Sequence, residues 1–394
     1  MPNRNSSSWA CALPSALLLM APFDLLASLA MDVYLPVVPA MPNILGTTPE
    51  IVQLTLSLYM IVLGLGQVAF GPLSDRIGRR PVLLGGAVLF AAASFLLAAT
   101  TLAPLFVALR VVQALGASAA LVATFATVRD VYAERPEGAV IYGLFGAMLA
   151  FVPALGPIAG ALIAASLGWQ AIFVVLGLLA VAAVVNAVPR WHETRPDVVQ
   201  SRPAFLTILK SPAFWVYTLG FSAAMGAFFV FFSTAPRLLI ARAGYSQLGF
   251  SLAFATAAVA MIVTTRFAKA FVARWGISGS LARGMALLLL GAALLAVGQL
   301  FAAPSFASFV VPMWVISIGI VFAASVTANG ALEAFGDAAG TAVALYFCVQ
   351  SLIVGVAGTL VVLALGGDTA WPLAAYCAVM ALATLGGLRW LGKR

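Results

Sequence analysis

Ionisable side chains are scarce in this sequence. Asp, Glu, Lys and Arg together make up 8% of its 394 residues, and histidine occurs once, at position 192 in a polar stretch. A histidine-based catalytic centre is therefore not expected. No nucleophile and base pair or phosphate-binding loop takes its place, so the chain reads as a non-enzyme without a catalytic residue. Cysteine is scarcer still: Cys11, Cys348 and Cys377 lie within or at the edge of apolar runs, at spacings that suit neither a disulfide nor a metal ion. They read as small core residues, and neither a metal nor a cofactor is expected. The deficit of charge also excludes a water-soluble fold. With 63% hydrophobic residues and a mean hydropathy of +1.11, the chain has more apolar surface than such a fold can hide.

What is abundant is apolar sequence in long runs. Each membrane span needs about 20 such residues, and 394 residues with short connections leave room for twelve spans. The runs fall near 12–34, 51–73, 82–100, 105–127, 139–163 and 169–189, then near 213–235, 248–268, 281–301, 307–328, 341–365 and 371–390. The longest polar stretch separates the two sets, giving an N-terminal half (1–189), a linker (190–212) and a C-terminal half (213–394). The expected fold is an all-α polytopic membrane protein of two six-helix halves. A proline-bearing exit from span one, Tyr34-Leu-Pro36, has a counterpart after span seven, Ser233-Thr-Ala-Pro236. That echo supports parallel repeats with a substrate cavity between them at mid-depth. The polar N-terminus is short, and the apolar stretch after it carries Asp24 and is too long for a signal-peptide core. It is read as a retained first span.

The formal net charge of +8 is not a nucleic-acid footprint, because the basic residues sort by side. Arg76, Arg79, Arg80, Arg129, Arg135, the linker basics, Arg266, Lys269, Arg274, Arg389, Lys393 and Arg394 fall on one side, and only Arg237 and Arg242 on the other. The basic side is cytoplasmic by the positive-inside rule, and both termini lie there.

A few charges sit where lipid should be. Span one contains P-F-D-L-L-A-S-L-A-M-D-V-Y-L-P, which places Asp24 and Asp32 in an otherwise apolar helix. A carboxylate at a helix centre costs about 2.5–3.5 kcal/mol on insertion, so such a residue ordinarily faces a cavity and has a function. Their spacing sets them about 80° apart in azimuth and about 12 Å apart in depth, along one pore wall. Asp24 falls near mid-membrane, and Asp32 near the far mouth, open to partial solvation. In span four, A-L-R-V-V-Q-A-L-G-A-S puts Arg110 and Gln113 on one face with Gly116 below. Arg110 lies at a depth between the two aspartates and can pair with either. Span five carries P-A-L-G-P-I-A-G, in which Pro157 bends the helix while Gly156 and Gly160 admit a close neighbour. In span seven the run Phe228 to Phe232 is dense in aromatics. Most such rings pack against helices or lipid, but Phe228 and Phe231, with Met31, Tyr34 and Tyr59, can wall a site for an aromatic substrate.

Between spans two and three, Gly71 to Pro81 reads G-P-L-S-D-R-I-G-R-R-P. The glycines Gly71 and Gly78 allow tight backbone, Arg76, Arg79 and Arg80 anchor the loop on the cytoplasmic side, and Asp75 is its lone acid. This stretch resembles the signature G-x-L-[SA]-D-R-x-G-R-[RK]-P of the major facilitator superfamily. The R-x-x-Q-x-x-G pattern of span four resembles that of proton-coupled facilitators, and the G-P-x-x-G of span five resembles the antiporter motif of exporters. The stretches P-F-D-L-L-A-S-L-A-M-D-V-Y-L-P-V-V-P, T-F-A-T-V-R-D-V-Y-A, F-F-V-F-F-S-T-A-P and S-V-T-A-N-G-A-L are similar to the bicyclomycin and chloramphenicol exporters, the florfenicol and chloramphenicol group most of all. The likeness covers practically the whole chain.

That resemblance implies the major facilitator fold and proton-driven efflux of phenicol antibiotics across a bacterial inner membrane by a monomer. The partners it implies are protons, drug and lipid, with no nucleic acid and no cofactor beyond the proton gradient. Asp24, Asp32 and Arg110 would be the functional charges. The resemblance also implies a gate in which Asp75 meets Arg129 or the N-terminus of span eleven near Thr341, and Asp130 meets an arginine of the loop. Composition and spacing do not identify the drug. A multidrug exporter of broader range is one alternative. A sugar or metabolite importer on the same fold is another, disfavoured by the span-five motif and the aromatic wall.

Overall fold

The computed structural model describes residues 12–132, 135–195 and 205–393. Cys11, Arg394 and the middle of the linker, 196–204, lie outside them. The described residues are almost wholly helical. Spans one to seven run Leu13–Asp32, Pro49–Ile77, Arg79–Ala99, Ala103–Tyr132, Pro136–Leu167, Gln170–Ala187 and Pro212–Pro236. A helical stretch of 55 residues, Gln247–Phe301, follows. At 1.5 Å per residue it would be about 82 Å long, far beyond a hydrocarbon layer of about 30 Å. It is two spans, divided at Gly276, whose φ of 69° and ψ of −178° break the helical geometry. Spans ten to twelve are Val311–Leu332, Gly340–Leu365 and Trp371–Leu391. Eleven apolar helices, one of them double, make the twelve expected spans.

Local chemistry explains where these helices start and stop. Pro49, Pro136, Pro212, Pro312 and Pro372 stand in the first turn of their helices, where a missing N–H costs nothing. Among the described residues every positive φ belongs to a glycine, and Gly78, Gly168, Gly276 and Gly366 each end a span. Several helices outrun their apolar stretches. Span two continues to Ile77, so Gly71, Asp75 and Arg76 are helical and the loop expected there shrinks to Gly78. Span four extends to Tyr132, which puts Arg129 and Asp130 on its last turn. The connection between spans ten and eleven is a 3-10 turn, Glu333–Ala338.

The two halves repeat each other in packing as well as in span count. Spans three and four touch at Gly86 and Gly116, where an added Cβ on either would lie 2.8 and 2.6 Å from the other's carbonyl oxygen. Spans nine and ten touch in the same way at Gly284 and Gly319, with 2.8 and 2.7 Å. The proline exits also match: after Tyr34 the chain tightens into a 3-10 helix, Leu35–Ala40, and after Pro236 it loosens into a π-helix, Arg237–Arg242. These two distorted exits pack against each other.

Contacts between the halves seal the end of the bundle opposite Gly78, called here the far end. Gln53 Nε2 of span two donates to Ser233 Oγ of span seven at 3.1 Å. The hydroxyls of Ser57 in span two and Thr359 in span eleven bond to each other. Ser251 Oγ of span eight donates to the Pro157 carbonyl of span five at 2.9 Å. No ion takes part in these three closures.

The break at Gly276 yields a direct test. Its φ and ψ lie in a region that only glycine occupies without strain, and no atom stands within 4 Å of an added Cβ. Gly276→Ala is expected to destabilise the protein by about 1–3 kcal/mol through backbone strain alone, read as a lowered melting temperature in detergent. An unchanged melting temperature would mean that the junction relaxes freely.

Candidate functional site

Three apolar helices and one chain exit converge on a single buried guanidinium. Arg110 is fully buried in span four, near its far end. Its Nη1 donates to the Ala30 carbonyl of span one at 3.1 Å and to Gln113 Oε1 at 2.6 Å. The guanidinium carbon lies 4.5 Å from the centre of the Tyr59 ring and 5.1 Å from that of Tyr34. Such cation–π contacts are worth about 2 kcal/mol or more each when desolvated. Tyr59 is itself fixed, its hydroxyl donating to the Ala27 carbonyl at 2.9 Å. Arg110 Nε and Nη2 have no hydrogen-bond partner.

The expected pairing of Arg110 with a span-one carboxylate is not formed here. A backbone carbonyl, an amide and two ring faces hold the cation instead. Asp24 is 1% exposed and neither of its carboxylate oxygens has a hydrogen-bond partner; Asp32 is 5% exposed and its Oδ1 has none. Asp32 was expected at a half-solvated mouth. Its burial has a cause: span five crosses span one at that level, and a Cβ on Gly156 would lie 2.6 Å from Asp32 Cβ. One turn on, a Cβ on Gly160 would collide with the Val33 carbonyl. Gly156 and Gly160 are thus the contact surface that lets span five lie against the Asp32 end of span one. The Pro157 carbonyl beside them accepts the hydroxyl of Ser251 from the other half.

The candidate substrate wall divides. Tyr34 and Tyr59 are buried against Arg110, and Met31 is buried in span one. Phe231 instead belongs to the core of the C-terminal half, stacked on Phe254 at 4.9 Å and tilted against Phe309 at 5.5 Å. In this conformation its ring is engaged in packing. Phe228 is half-buried at the edge of the same cluster.

At the basic end the charges of the signature are paired on spans two, three and four. Arg79, fully buried, binds Asp75 Oδ1 through Nη1 at 2.6 Å and Asp130 Oδ2 through Nε at 2.9 Å. Asp130 therefore meets an arginine of the signature, as expected, whereas Asp75 is paired with Arg79 and no pair with Arg129 is formed. Arg129 reaches Asp130 at 3.4 Å, and its Nη1 lies 3.2 Å from where a Cβ on Gly340 would stand, at the start of span eleven. Gly78 is needed for its φ of 110°, while at Gly71 an added Cβ would meet nothing within 4 Å, so the expected steric need for glycine holds at one position only.

One residue of this cluster escaped the reading of the sequence. Glu193, in the linker, accepts from the backbone N–H of Arg79 at 2.7 Å and of Arg80 at 3.2 Å. A carboxylate thus sits on the positive N-terminus of span three, in the space that a side chain at Gly78 would fill. Arg195 Nη1 ties the same strap to the Arg76 carbonyl at 2.8 Å, and Arg80 Nη2 binds the Val188 carbonyl at 2.8 Å.

Two repeated six-span halves, a hydrogen-bonded seal at one end, an ionic cluster at the other and unpartnered buried acids between them define a multi-pass membrane transporter. The chain belongs to the Major Facilitator Superfamily, whose family model matches residues 24–359. It is 52% identical over 96% of its length to a chloramphenicol resistance protein of Pseudomonas aeruginosa, covering 91% of that relative. To multidrug resistance protein D of Escherichia coli it is 27% identical over 87% of both chains. Among solved structures it superposes on a D-xylose-proton symporter with a TM-score of 0.74, covering 95% of this chain and 97% of that one at 16% identity. On a POT family transporter in complex with 5-aminolevulinic acid the TM-score is 0.72, over 95% of both chains at 14% identity. The last two establish the fold alone.

Two expectations follow from the packing. Gly160→Ala forces a methyl onto the Val33 carbonyl, an overpacking cost of about 1–3 kcal/mol, so transport should fall sharply while Gly71→Ala stays near the parent. Equal behaviour of the two variants would remove the span-five contact from the account. Glu193→Gln should weaken the cap on span three by about 0.3–1 kcal/mol, seen as a lower melting temperature whose difference from the parent shrinks in high salt.

Proposed function

We propose that the chain exports phenicol antibiotics, chloramphenicol and florfenicol, from a bacterial cytoplasm in exchange for protons. The observation that carries the coupling is the state of Asp24: fully buried, with no donor on either oxygen and no cation paired to it. An ionised carboxylate is very costly in such a place, so the site accommodates the neutral acid. On this reading the site opens to the basic side while the far end is closed. Drug arriving from that side would displace the proton, and the newly charged carboxylate would draw on Arg110. The halves would then rock so that the far-end hydrogen bonds open. Proton uptake from outside would return the acid to its neutral form. For a neutral drug exchanged for one proton, a potential of about 150 mV supplies about 3.5 kcal/mol.

The substrate class is supported by the likeness to the chloramphenicol resistance protein over nearly the full length of both chains. On this reading the protein works as a monomer in the inner membrane without a cofactor. Both termini are cytoplasmic, and the halves 1–189 and 213–394 are joined by the linker 190–212. The likeness to multidrug resistance protein D favours, as a second reading, a wider range of drugs on the same mechanism.

Expression in a sensitive host tests the reading. The parent should raise resistance to chloramphenicol, and Asp24→Asn should return it to the level of the empty vector at undiminished membrane abundance. Resistance unchanged in Asp24→Asn, with Asp32→Asn inactive, would transfer the proton to Asp32. A parent that raises resistance to unrelated drugs as strongly as to phenicols would establish the wider range.

A further inference from the structure

Arg110 is held by a hydrogen-bond chain that ends on a helix carrying no charge at that depth. Gln113 Oε1 accepts from Arg110, and Gln113 Nε2 donates to Ser94 Oγ of span three at 2.8 Å. Ser94 in turn donates its own proton to the Phe90 carbonyl at 2.7 Å. All three side chains are fully buried. Each link leaves one arrangement only. The Ser94 proton is spent on Phe90, so Ser94 faces Gln113 as an acceptor. Arg110 is donor-only, so Gln113 must turn its oxygen toward it and its amide nitrogen toward Ser94. Spans three and four approach closely enough for this because Gly116 packs on Phe90, where a Cβ would lie 2.6 Å from the Phe90 nitrogen.

The titratable groups around Arg110 come from two neighbours. Tyr59 of span two and Tyr34 of the span-one exit present their rings, and Asp24 and Asp32 belong to the same helix as the Ala30 carbonyl to which Arg110 donates. Span three contributes only neutral groups at this depth, Ser94 among them. Two guanidinium nitrogens are buried without a partner, so the cation has donors to spare for a carboxylate and is kept from using them by its present tethers.

We propose that Ser94 is a positioning residue of the coupling site, which through Gln113 keeps Arg110 on the Ala30 carbonyl and off the span-one acids while the far end is sealed. The proposal rests on the proton-exchange reading above and deepens it. Without the Ser94 hydroxyl the buried amide nitrogen of Gln113 has no acceptor, and leaving it unmet is unfavourable. Gln113 then turns away, Arg110 loses an anchor, and its free donors reach a carboxylate, which favours the ionised acid.

The test is drug-induced proton release, followed with a pH indicator as chloramphenicol is added to purified, weakly buffered protein across a pH series. Ser94→Ala should move the pH midpoint of release lower by about 1 unit, the effect of an opposite charge brought close. Ser94→Thr, which keeps the hydroxyl, should restore the parent midpoint. Gln113→Leu should shift it as Ser94→Ala does, and the double variant no further. An unshifted midpoint in Ser94→Ala, or a double variant whose shifts add, would overturn the proposal. If one single variant fails to reach the membrane, the other carries the comparison with the parent. A parent that releases no proton at any pH would instead contradict the exchange reading, and the two failures are distinguishable on that ground.

Discussion

A charge in an apolar interior must be paired, solvated or neutralised, and that constraint organises this molecule. At the basic end it is met by pairing: buried Arg79 sits between Asp75 and Asp130, and Glu193 covers the exposed N–H groups of span three. Around Arg110 it is met by ring faces, a carbonyl and an amide. At Asp24 none of these is supplied. The membrane interior tolerates such a residue in its neutral form, and on this ground it is proposed as the carrier of the exchanged proton.

The two ends of the bundle are held by different chemistry. The far end uses neutral hydrogen bonds, Gln53 to Ser233 and Ser251 to the Pro157 carbonyl, over glycine contacts between spans one and five. Each such bond contributes only about 0.5–1.5 kcal/mol net, so the seal is tight in packing yet modest in energy. The basic end uses ions, whose pairing responds to solvent and salt. A rocking motion of the kind proposed must break the far-end bonds, and Gly156 stands where span five meets Asp32. Movement at the seal and the state of the acid are therefore in direct contact.

Much of the fold was legible because a membrane span is a statement about composition. Twelve apolar runs gave twelve spans, and the proline exits of spans one and seven turned out to pack against each other. Helix ends were less legible, since hydropathy marks where lipid ends and says little about where backbone hydrogen bonding ends. The signature after Gly71 looked like a loop but stays helical until Gly78, where φ turns positive. At the site, the residue types were readable and the pairs were not. Opposite charges in spans one and four suggest a salt bridge, whereas tyrosines at 34 and 59, far apart in sequence, take the cation in its place. Glu193 could not have been found from spacing, because its partners are backbone N–H groups that carry no sequence signature. Phe231 shows the opposite limit: an aromatic run cannot say which ring faces a cavity and which faces Phe254.

The central claim is that drug movement and proton movement are one exchange carried by the span-one acids. Its most direct measurement follows labelled chloramphenicol in everted membrane vesicles with an imposed pH gradient, acid inside, and no membrane potential. The account predicts that the drug accumulates in proportion to the gradient and that a protonophore abolishes the accumulation. Accumulation that persists after the gradient has been collapsed would contradict it.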